Sequence, residues 1–163
     1  MRLVLYEPDI PQNTGTILRL SAALGVAVDL IEPFGFAWDD RRLRRAGMDY
    51  LDAVDVTRHG SWHAYRIWRA GSNRAGRLVM LTTRADVPYT DFAFDPSDSL
   101  LLGRETGGAP SDVHAAADAR LIIPMRTGMR SLNVAVAAAM VLGEALRQTN
   151  GFMRPRSDEP PQR

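Results

Sequence analysis

The chain has 163 residues, of which 45% are hydrophobic, and a formal net charge of +1. This length suffices for one domain with its own core, and a charge so close to zero argues against a protein that coats nucleic acid without specificity. The sequence contains no cysteine, and its 20 basic residues are all arginine. Disulfides, thiolate-bound metals and lysine Schiff bases are therefore excluded.

Membrane insertion and export are not indicated by the hydrophobic pattern. The longest apolar run, residues 134–143, is shorter than the roughly 20 residues that span a bilayer. The first residues form an apolar strand pattern without the layout of a secretory signal. We therefore expect a cytoplasmic protein with no membrane partner.

Short apolar runs alternate with helical patterns along the chain. The predicted strands lie at residues 2–6, 27–31, 77–82, 99–102 and 120–123. The predicted helices lie at residues 14–24, 39–46, 61–70, 111–116 and 131–149. Because the apolar runs are mostly continuous and alternate with helices, they predict an α/β fold with a parallel sheet flanked by helices. We expect residues 1–150 to form a single domain and the proline-rich residues 151–163 to be a disordered tail.

The first strand-to-helix junction reads PQNTG at residues 11–15, and Arg19 follows in the helix. Asn13 and Thr14 are natural N-cap residues, and Gly15 allows a partner to approach the backbone closely. The pattern fits a capped helix with a solvent-facing arginine as well as a binding loop, and both interpretations stay open.

The second junction reads GRETGG at residues 103–108 and follows an apolar strand. Open α/β sheets bind ligands at such carboxyl ends of strands. Glu105 is either an exposed residue of a flexible turn or a group that reaches a ligand or a neighbouring loop. The glycine spacing is not that of a dinucleotide fingerprint, which argues against a dinucleotide-binding fold.

The third junction runs from a strand that ends at Ile123, through a loop of small residues, into a long Ala-rich helix. Ser131 is predicted to cap this helix, which would start near Leu132. With Asn133 it brings a hydroxyl and an amide to the positive end of the helix, which suits a phosphate or carboxylate. Three such junctions indicate that separate loops meet at one site. We interpret the chain as a small enzyme that binds a nucleoside-containing cofactor and acts on RNA.

A run of arginines forms a possible RNA-binding patch, although the same run is typical of a solvated helix face. Its members are Arg41, Arg42, Arg44 and Arg45. His59 and His63 have the spacing of two metal ligands on a helix, but no cysteine or further nearby histidine accompanies them. We expect no metal site.

In their order and spacing, the three junctions resemble the motifs of the SPOUT superfamily of RNA methyltransferases, in the branch that methylates ribose 2′-hydroxyls. Within that branch the chain closely resembles the family that modifies the wobble cytidine or uridine, nucleotide 34, of tRNA. The resemblance covers residues 2–150 and is also carried by residues 5–10, 31–36 and 43–50. It implies a deep trefoil knot in the C-terminal part, S-adenosylmethionine as cofactor, and a homodimer whose subunits meet at the cofactor site.

The resemblance assigns roles to residues at the matching motif positions. The implied cofactor-binding residues are Leu81, Thr82, Gly103, Glu105, Ile123, Met125, Ser131 and Leu132. The implied catalytic residues are Asn13, Arg19, Glu105, Ser131 and Asn133. The expected RNA partner is the anticodon stem-loop of tRNA, contacted by the four clustered arginines and Arg130.

The implied reaction is in-line transfer of a methyl group from a sulfonium to a ribose oxygen. Such an enzyme must orient both partners and help the hydroxyl to lose its proton. In relatives the arginine of the first motif is often cast as the base, but a guanidinium has a pKa above about 12. We therefore expect Arg19 to bind the adjacent phosphate and stabilise the developing oxyanion.

Two alternatives stay open at the level of sequence. One is 2′-O-methylation of another RNA, such as ribosomal RNA. The other is a non-catalytic RNA-binding module that keeps the cofactor pocket. The lack of an extra RNA-binding domain favours a small, local target, and the motif residues Arg19, Glu105 and Asn133 argue for catalysis.

Overall fold

The computed structural model describes residues 1–38, 53–71 and 76–153. Within these ranges the strands are β1 (Arg2–Tyr6), β2 (Ala27–Ile31), β3 (Val56–His59), β4 (Leu78–Leu81), β5 (Val87–Pro88), β6 (Ser99–Leu102) and β7 (Ala119–Ile122). They form one sheet in the order β3-β2-β1-β6-β4-β7-β5. Every neighbouring pair is parallel, which confirms the predicted α/β fold.

Helices cover both faces of the sheet. They are α1 (Pro11–Leu24), α2 (Trp62–Gly71), α3 (Ser111–Ala116) and α4 (Val134–Gln148), with a 3-10 turn at Tyr89–Asp91. Residues of α1 and α4 pack into the core on one face, and residues of α2 and α3 pack into the core on the other. A sheet buried on both sides explains why its central strands are continuous apolar runs. No helix in the described ranges combines the length and apolar character needed to cross a membrane.

The order of the strands determines where a ligand site can form. From β1 the chain continues to β2 and β3 on one side, whereas β6 and β4 lie on the other side of β1. The loops that follow β1 and β6 therefore leave the sheet beside each other. They lead to helices on opposite faces, α1 after β1 and α3 after β6. Such a reversal creates a crevice at the carboxyl ends of the strands, which is where open α/β sheets bind ligands.

The first helix starts earlier than predicted. Ile10 is its N-cap residue and makes no side-chain capping bond, and Pro11 occupies the first turn. Proline is favoured there because its fixed φ suits a helix and its missing N–H is not needed. The prediction that Asn13 and Thr14 are caps is therefore wrong, since both are buried within α1.

The last helix starts later than predicted. Asn133 is its N-cap residue, and its side chain accepts hydrogen bonds from the backbone N–H groups of Ala135 and Val136. Ser131 precedes the helix, so the prediction that Ser131 caps it is wrong. The amide oxygen of Asn133 satisfies the free N–H groups of the first turn, and Ser131 is left at the surface.

Other differences concern short elements. The strands β3 and β5 were not predicted, because β3 includes the polar Thr57 and Arg58 and β5 has only two residues. The predicted strands at 77–82 and 120–123 are Leu78–Leu81 and Ala119–Ile122. The predicted helix at 39–46 and the tail from residue 154 onward lie outside the described residues.

Candidate active site

A cavity of about 420 Å³ opens at the carboxyl ends of β4, β6 and β7. Its volume lies within the range typical of small-molecule sites. All eight residues that the resemblance assigns to cofactor binding line it: Leu81, Thr82, Gly103, Glu105, Ile123, Met125, Ser131 and Leu132. The fold thus brings together side chains from three loops that are far apart in sequence.

Sequence reasoning missed part of the cavity wall. Met80, Leu102, Ile122 and Ala137 also line it. The signal for the first three was their place at the carboxyl ends of predicted strands, since neighbouring parallel strands end at the same edge of a sheet. For Ala137, only the packing of α4 beside the cavity reveals the contact.

Four of the five predicted catalytic residues line this cavity, and hydrogen bonds join three of them. Asn13 Nδ2 donates to Glu105 Oε1 at 3.1 Å, and Asn133 Nδ2 donates to Asn13 Oδ1 at 2.9 Å. These partners are separated by 92 and 120 residues along the chain. The fourth residue, Ser131, is exposed at the cavity wall.

A residue that sequence reasoning did not single out, Asp9, extends this set. The backbone N–H of Asp9 donates to Glu105 Oε2 at 3.0 Å, and the backbone N–H of Glu105 donates to Asp9 Oδ1 at 3.1 Å. We call Asp9, Glu105, Asn13 and Asn133 the cavity network. Asp9 lies two residues before the PQNTG junction and four residues before Asn13, and a single carboxylate at that place does not predict these contacts.

The two carboxylates of the cavity network have opposite pKa shifts. Burial, followed by the hydrogen bond with Asp9, raises the pKa of Glu105 above its ordinary value. The hydrogen bond with the Glu105 side chain lowers the pKa of Asp9, and Thr106 contributes to the same effect. On acidification a proton therefore goes to Glu105 before Asp9.

The loop that carries Glu105 is held by several contacts. Arg104 and Gly108 exchange two backbone hydrogen bonds at 2.9 Å, and Arg104 forms an ion pair with Glu7. Glu105 is partly buried and bonded on both carboxylate oxygens. Of the two interpretations left open by the sequence, the structure supports the one in which Glu105 reaches a neighbouring loop.

The two predicted basic residues that the structure describes, Arg19 and Arg130, are not at the cavity wall. Arg19 lies on the exposed side of α1 and Arg130 in the exposed loop before Ser131, and neither lines the cavity. The structure therefore does not bring Arg19 together with the other four predicted catalytic residues within one chain. Arg41, Arg42, Arg44 and Arg45 lie outside the described residues.

The two histidines with metal-ligand spacing have different surroundings. His59 is buried and its Nε2 lies 2.8 Å from Asp29 Oδ1, whereas His63 is exposed. In the described part of the chain, no group of three or more His, Cys, Asp or Glu side chains is arranged to hold a metal ion.

Comparison with known proteins gives closely similar relatives. The chain is 61% identical to the tRNA (cytidine(34)-2′-O)-methyltransferase of Beijerinckia indica over 93% of this chain and 94% of that protein. A structure solved to explain the 2-OH methylation of C/U34 on tRNA is 40% identical, with a TM-score of 0.83, over 92% of this chain and 96% of the other.

A second similar structure carries a cofactor. It is the SpoU methyltransferase AviRb from Streptomyces viridochromogenes in complex with AdoMet, with 31% identity and a TM-score of 0.79. The match covers 91% of this chain and 60% of that one. The sequence profile of the SpoU rRNA Methylase family matches residues 1–143. This protein therefore belongs to the SpoU rRNA Methylase family.

Proposed function

We propose that this protein methylates the ribose 2′-hydroxyl of nucleotide 34, a cytidine or uridine, in the anticodon loop of tRNA. S-adenosylmethionine is the methyl donor. The observation that carries the proposal is the 61% identity, over nearly the whole chain, to a tRNA (cytidine(34)-2′-O)-methyltransferase. The cavity lined by the residues of all three motifs supports it.

The lining of the cavity fits S-adenosylmethionine. Leu81, Ile123 and Leu132 line the cavity and offer apolar contact for an adenine ring. The carboxylate of Glu105 at the wall suits a cationic ligand. When bound, the cofactor supplies an electrophilic methyl group on a sulfonium. We assign the eight predicted lining residues to holding it.

Within the cavity, the chain's own groups have the task of orienting the ribose. We assign this role to the amides of Asn13 and Asn133, which are held in one arrangement by Glu105. Ser131 adds a hydroxyl at the cavity wall. Positioning of this kind supplies a large part of the rate enhancement in group transfer. Arg19 would bind the neighbouring phosphate and stabilise charge on the attacking oxygen.

A second copy of the chain completes this site in our proposal. Leu132, two residues before α4, and Val136 and Met140 on α4 form an exposed apolar stripe, at exposures of 40%, 50% and 38%. The stripe begins at the cavity, because Leu132 also lines it, and α4 packs beside α1, which carries Arg19. Pairing through this face would bring Arg19 into an interface next to a cavity, and it would remove the stripe from water.

The finer features of the fold also remain proposals. We propose that residues 1–150 act as one domain and that its C-terminal part is tied in a trefoil knot. We propose the knot on the resemblance to the SPOUT superfamily; α4, which follows β7, packs against β6 and α1. Trypsin digestion that leaves a single core ending near residue 150 tests the domain boundary.

The test of the proposed function is methyl transfer from labelled S-adenosylmethionine to tRNA from a strain that lacks this activity. We expect label on the ribose of nucleotide 34, and loss of that label with Asn13→Ala. Label on another RNA, such as ribosomal RNA, would contradict the proposed substrate. Cofactor binding without transfer to any RNA would instead support the non-catalytic alternative.

The test of the dimer is the oligomeric state of a charged variant. Val136→Glu places a carboxylate in the apolar stripe, so we expect sedimentation equilibrium to show a monomer where the unchanged protein is a dimer. Arg147→Glu, at the far end of α4, is the control and should stay dimeric. A monomeric unchanged protein that is fully active would exclude the shared site.

A further inference from the structure

We propose that Asp9 is a positioning residue of the active site. It holds the carboxylate of Glu105 in one orientation, and Glu105 in turn holds the Asn13 amide, which bonds to Asn133. This role of Asp9 deepens the proposed function and rests on it for the kinetic measurements, but not for the NMR measurements. Asp9 itself does not line the cavity, so its effect passes through residues that do.

The contacts between Asp9 and the loop after β6 are reciprocal. Backbone N–H groups of Asp9 and Glu105 each donate to the side chain of the other, at 3.0 and 3.1 Å. Asp9 Oδ2 also accepts from the backbone N–H of Thr106 at 3.4 Å and from the Thr106 hydroxyl. Both carboxylate oxygens of Asp9 are therefore engaged, and the loop cannot shift without breaking several hydrogen bonds at once.

The loop after β2 backs Asp9 from another direction. Gly35 lies so close that a Cβ on it would be 2.4 Å from the Cβ of Asp9 and 2.7 Å from its Cα. The backbone N–H of Gly35 donates to the carbonyl of Pro8 at 3.0 Å. Asp9 is thus the point at which the loops after β1, β2 and β6 meet.

The donor and acceptor pattern shows why Asp9 matters for the amides. Backbone N–H groups donate to Asn133 Oδ1, so the Nδ2 of Asn133 must face Asn13. Asn13 therefore presents its Oδ1 to Asn133 and its Nδ2 to Glu105, which has to accept. The N–H of Asp9 binds Glu105 Oε2 and leaves Oε1 for Asn13. The first turn of α4 and Asp9 therefore hold the two ends of one hydrogen-bonded series, and the Asn13 amide lies between them.

Two adjacent carboxylates are also an unusual choice for a purely structural contact. Like charges oppose each other when their carboxylates are adjacent, so the pair carries an electrostatic cost. Such pairs are common where a site needs a carboxyl group of altered proton affinity. The raised pKa of Glu105 agrees with that placement.

The test compares Asp9→Asn and Asp9→Glu with Asp112→Asn, a change at an exposed residue in the first turn of α3. Asparagine keeps the size of the side chain, but its amide NH₂ opposes the donors of Thr106. Glutamate keeps two acceptor oxygens. One readout is the NMR signals of the Asn13 and Asn133 side-chain amides in the full-length protein. The other is kcat, KM for tRNA and Kd for S-adenosylmethionine.

For Asp9→Asn we expect shifted and broadened Asn13 amide signals and a kcat lowered about 10- to 100-fold, the cost of mispositioned groups. KM and Kd should stay within about threefold, because the cavity wall is kept. Asp9→Glu should recover part of kcat, and Asp112→Asn should match the unchanged protein. Thr106→Val removes the hydroxyl that donates to Asp9 and should lower kcat by a smaller factor.

Two results would overturn the inference. One is a kcat of Asp9→Asn equal to that of the unchanged protein with unaltered amide signals. The other is a loss of activity that only follows the loss of folded protein, with the Asn13 amide signals unchanged in what remains folded. If the unchanged protein transfers no methyl group to any RNA, the proposed function fails, and the amide signals alone then decide the role of Asp9.

Discussion

Two polar networks on the same sheet differ in depth and in charge balance. One is the cavity network at the strand ends. The other, which we call the core ion cluster, consists of Arg2, Asp29 and His59 on β1, β2 and β3. Arg2 donates to both carboxylate oxygens of Asp29 at 2.7 and 3.1 Å, and His59 Nε2 lies 2.8 Å from Asp29 Oδ1.

The core ion cluster is closed. Asp29 is fully buried and His59 nearly so, and the rings of Tyr65 and Trp68 pack on His59 with centroids 5.2 and 4.9 Å away. Opposite charges meet there and satisfy one another's hydrogen bonds. In the cavity network two carboxylates meet instead, and part of each stays accessible. The first arrangement joins three neighbouring strands, whereas the second keeps charge next to a cavity.

The contrast shows that carboxylate side chains have two different roles in this protein. A buried carboxylate beside an arginine stabilises the fold provided that both partners remain, because either one alone would be an uncompensated charge. Two carboxylates that face each other favour the folded state little, and their value lies in orienting ligands and in altered proton affinity. We therefore expect variants of the core ion cluster to lose stability and variants of the cavity network to lose activity.

The largest expected effect is on stability. Asp29→Ala leaves the Arg2 guanidinium and His59 without their buried acceptor, and should lower the free energy of unfolding in urea by about 3–5 kcal/mol. Asp55→Ala is a matched control, since Asp55 is an exposed partner of Arg2 at 3.6 Å. It should cost less than about 1 kcal/mol. Loss of methyl transfer by folded Asp29→Ala protein would break the comparison, because it would couple the two networks.

The next effect is on activity. Glu105→Gln puts an NH₂ group where Asp9 or Asn13 needs an acceptor, and should lower kcat/KM for tRNA about 100-fold. Thermal unfolding should change by only a few degrees. Glu144→Gln on α4, where Glu144 pairs with Arg147, is the control and should keep full activity. A Glu105→Gln protein that unfolds much earlier but transfers methyl groups normally would place the cavity network with the core ion cluster.

A smaller loss of stability is expected for His59→Ala. The change removes a hydrogen bond to a buried charged group, and should lower the free energy of unfolding by about 2 kcal/mol. His63→Ala, four residues away and exposed, should stay within about 0.5 kcal/mol. Both are measured by urea unfolding followed by tryptophan fluorescence. Equal effects of the two changes would show that Asp29 does not depend on His59.

The smallest effect is the pH dependence of stability. The raised pKa of Glu105 means that the folded state holds its proton more tightly than the unfolded state does. The free energy of unfolding should therefore fall slightly as pH rises from the ordinary value of 4.5 through the raised value. Asp9 acts oppositely, since its stabilising contribution is lost as pH falls through its lowered pKa. Glu105→Gln should abolish the decrease of stability with rising pH, and an unchanged dependence on pH would contradict the raised pKa of Glu105.

The elements with a clear hydrophobic pattern could be predicted from the sequence. The bounds of β1, β2 and β6 agree with prediction, because each is mainly apolar and is buried on both faces. The end of α1 at Gly25 could also be predicted, since its φ of 65° is a conformation that glycine adopts at little cost. The strand β3 was not predicted because it lies at the edge of the described sheet, where polar side chains are tolerated.

The motif residues could be located from the sequence, but their contacts could not. Asn13 was expected to cap a helix, and it bonds instead to Glu105 and Asn133 from inside α1. The contacts of Asp9 with the loop after β6 could not be predicted, because one carboxylate near a proline does not indicate which loop it bonds to. Capping preferences are local, whereas these bonds join residues 92 or more positions apart.

By itself, the sequence determined the order of strands and helices, the parallel sheet, and the junctions whose loops reach its carboxyl edge. These follow from short-range properties: apolar runs, glycine conformations and the placement of polar residues at strand ends. Only the tertiary structure decided which of these side chains bond to one another and which carboxylates face each other. In the folded chain Asp29 is balanced by Arg2, whereas Glu105 faces a second carboxylate, that of Asp9. The charge balance of each carboxylate depends on neighbours that the strand order brings together.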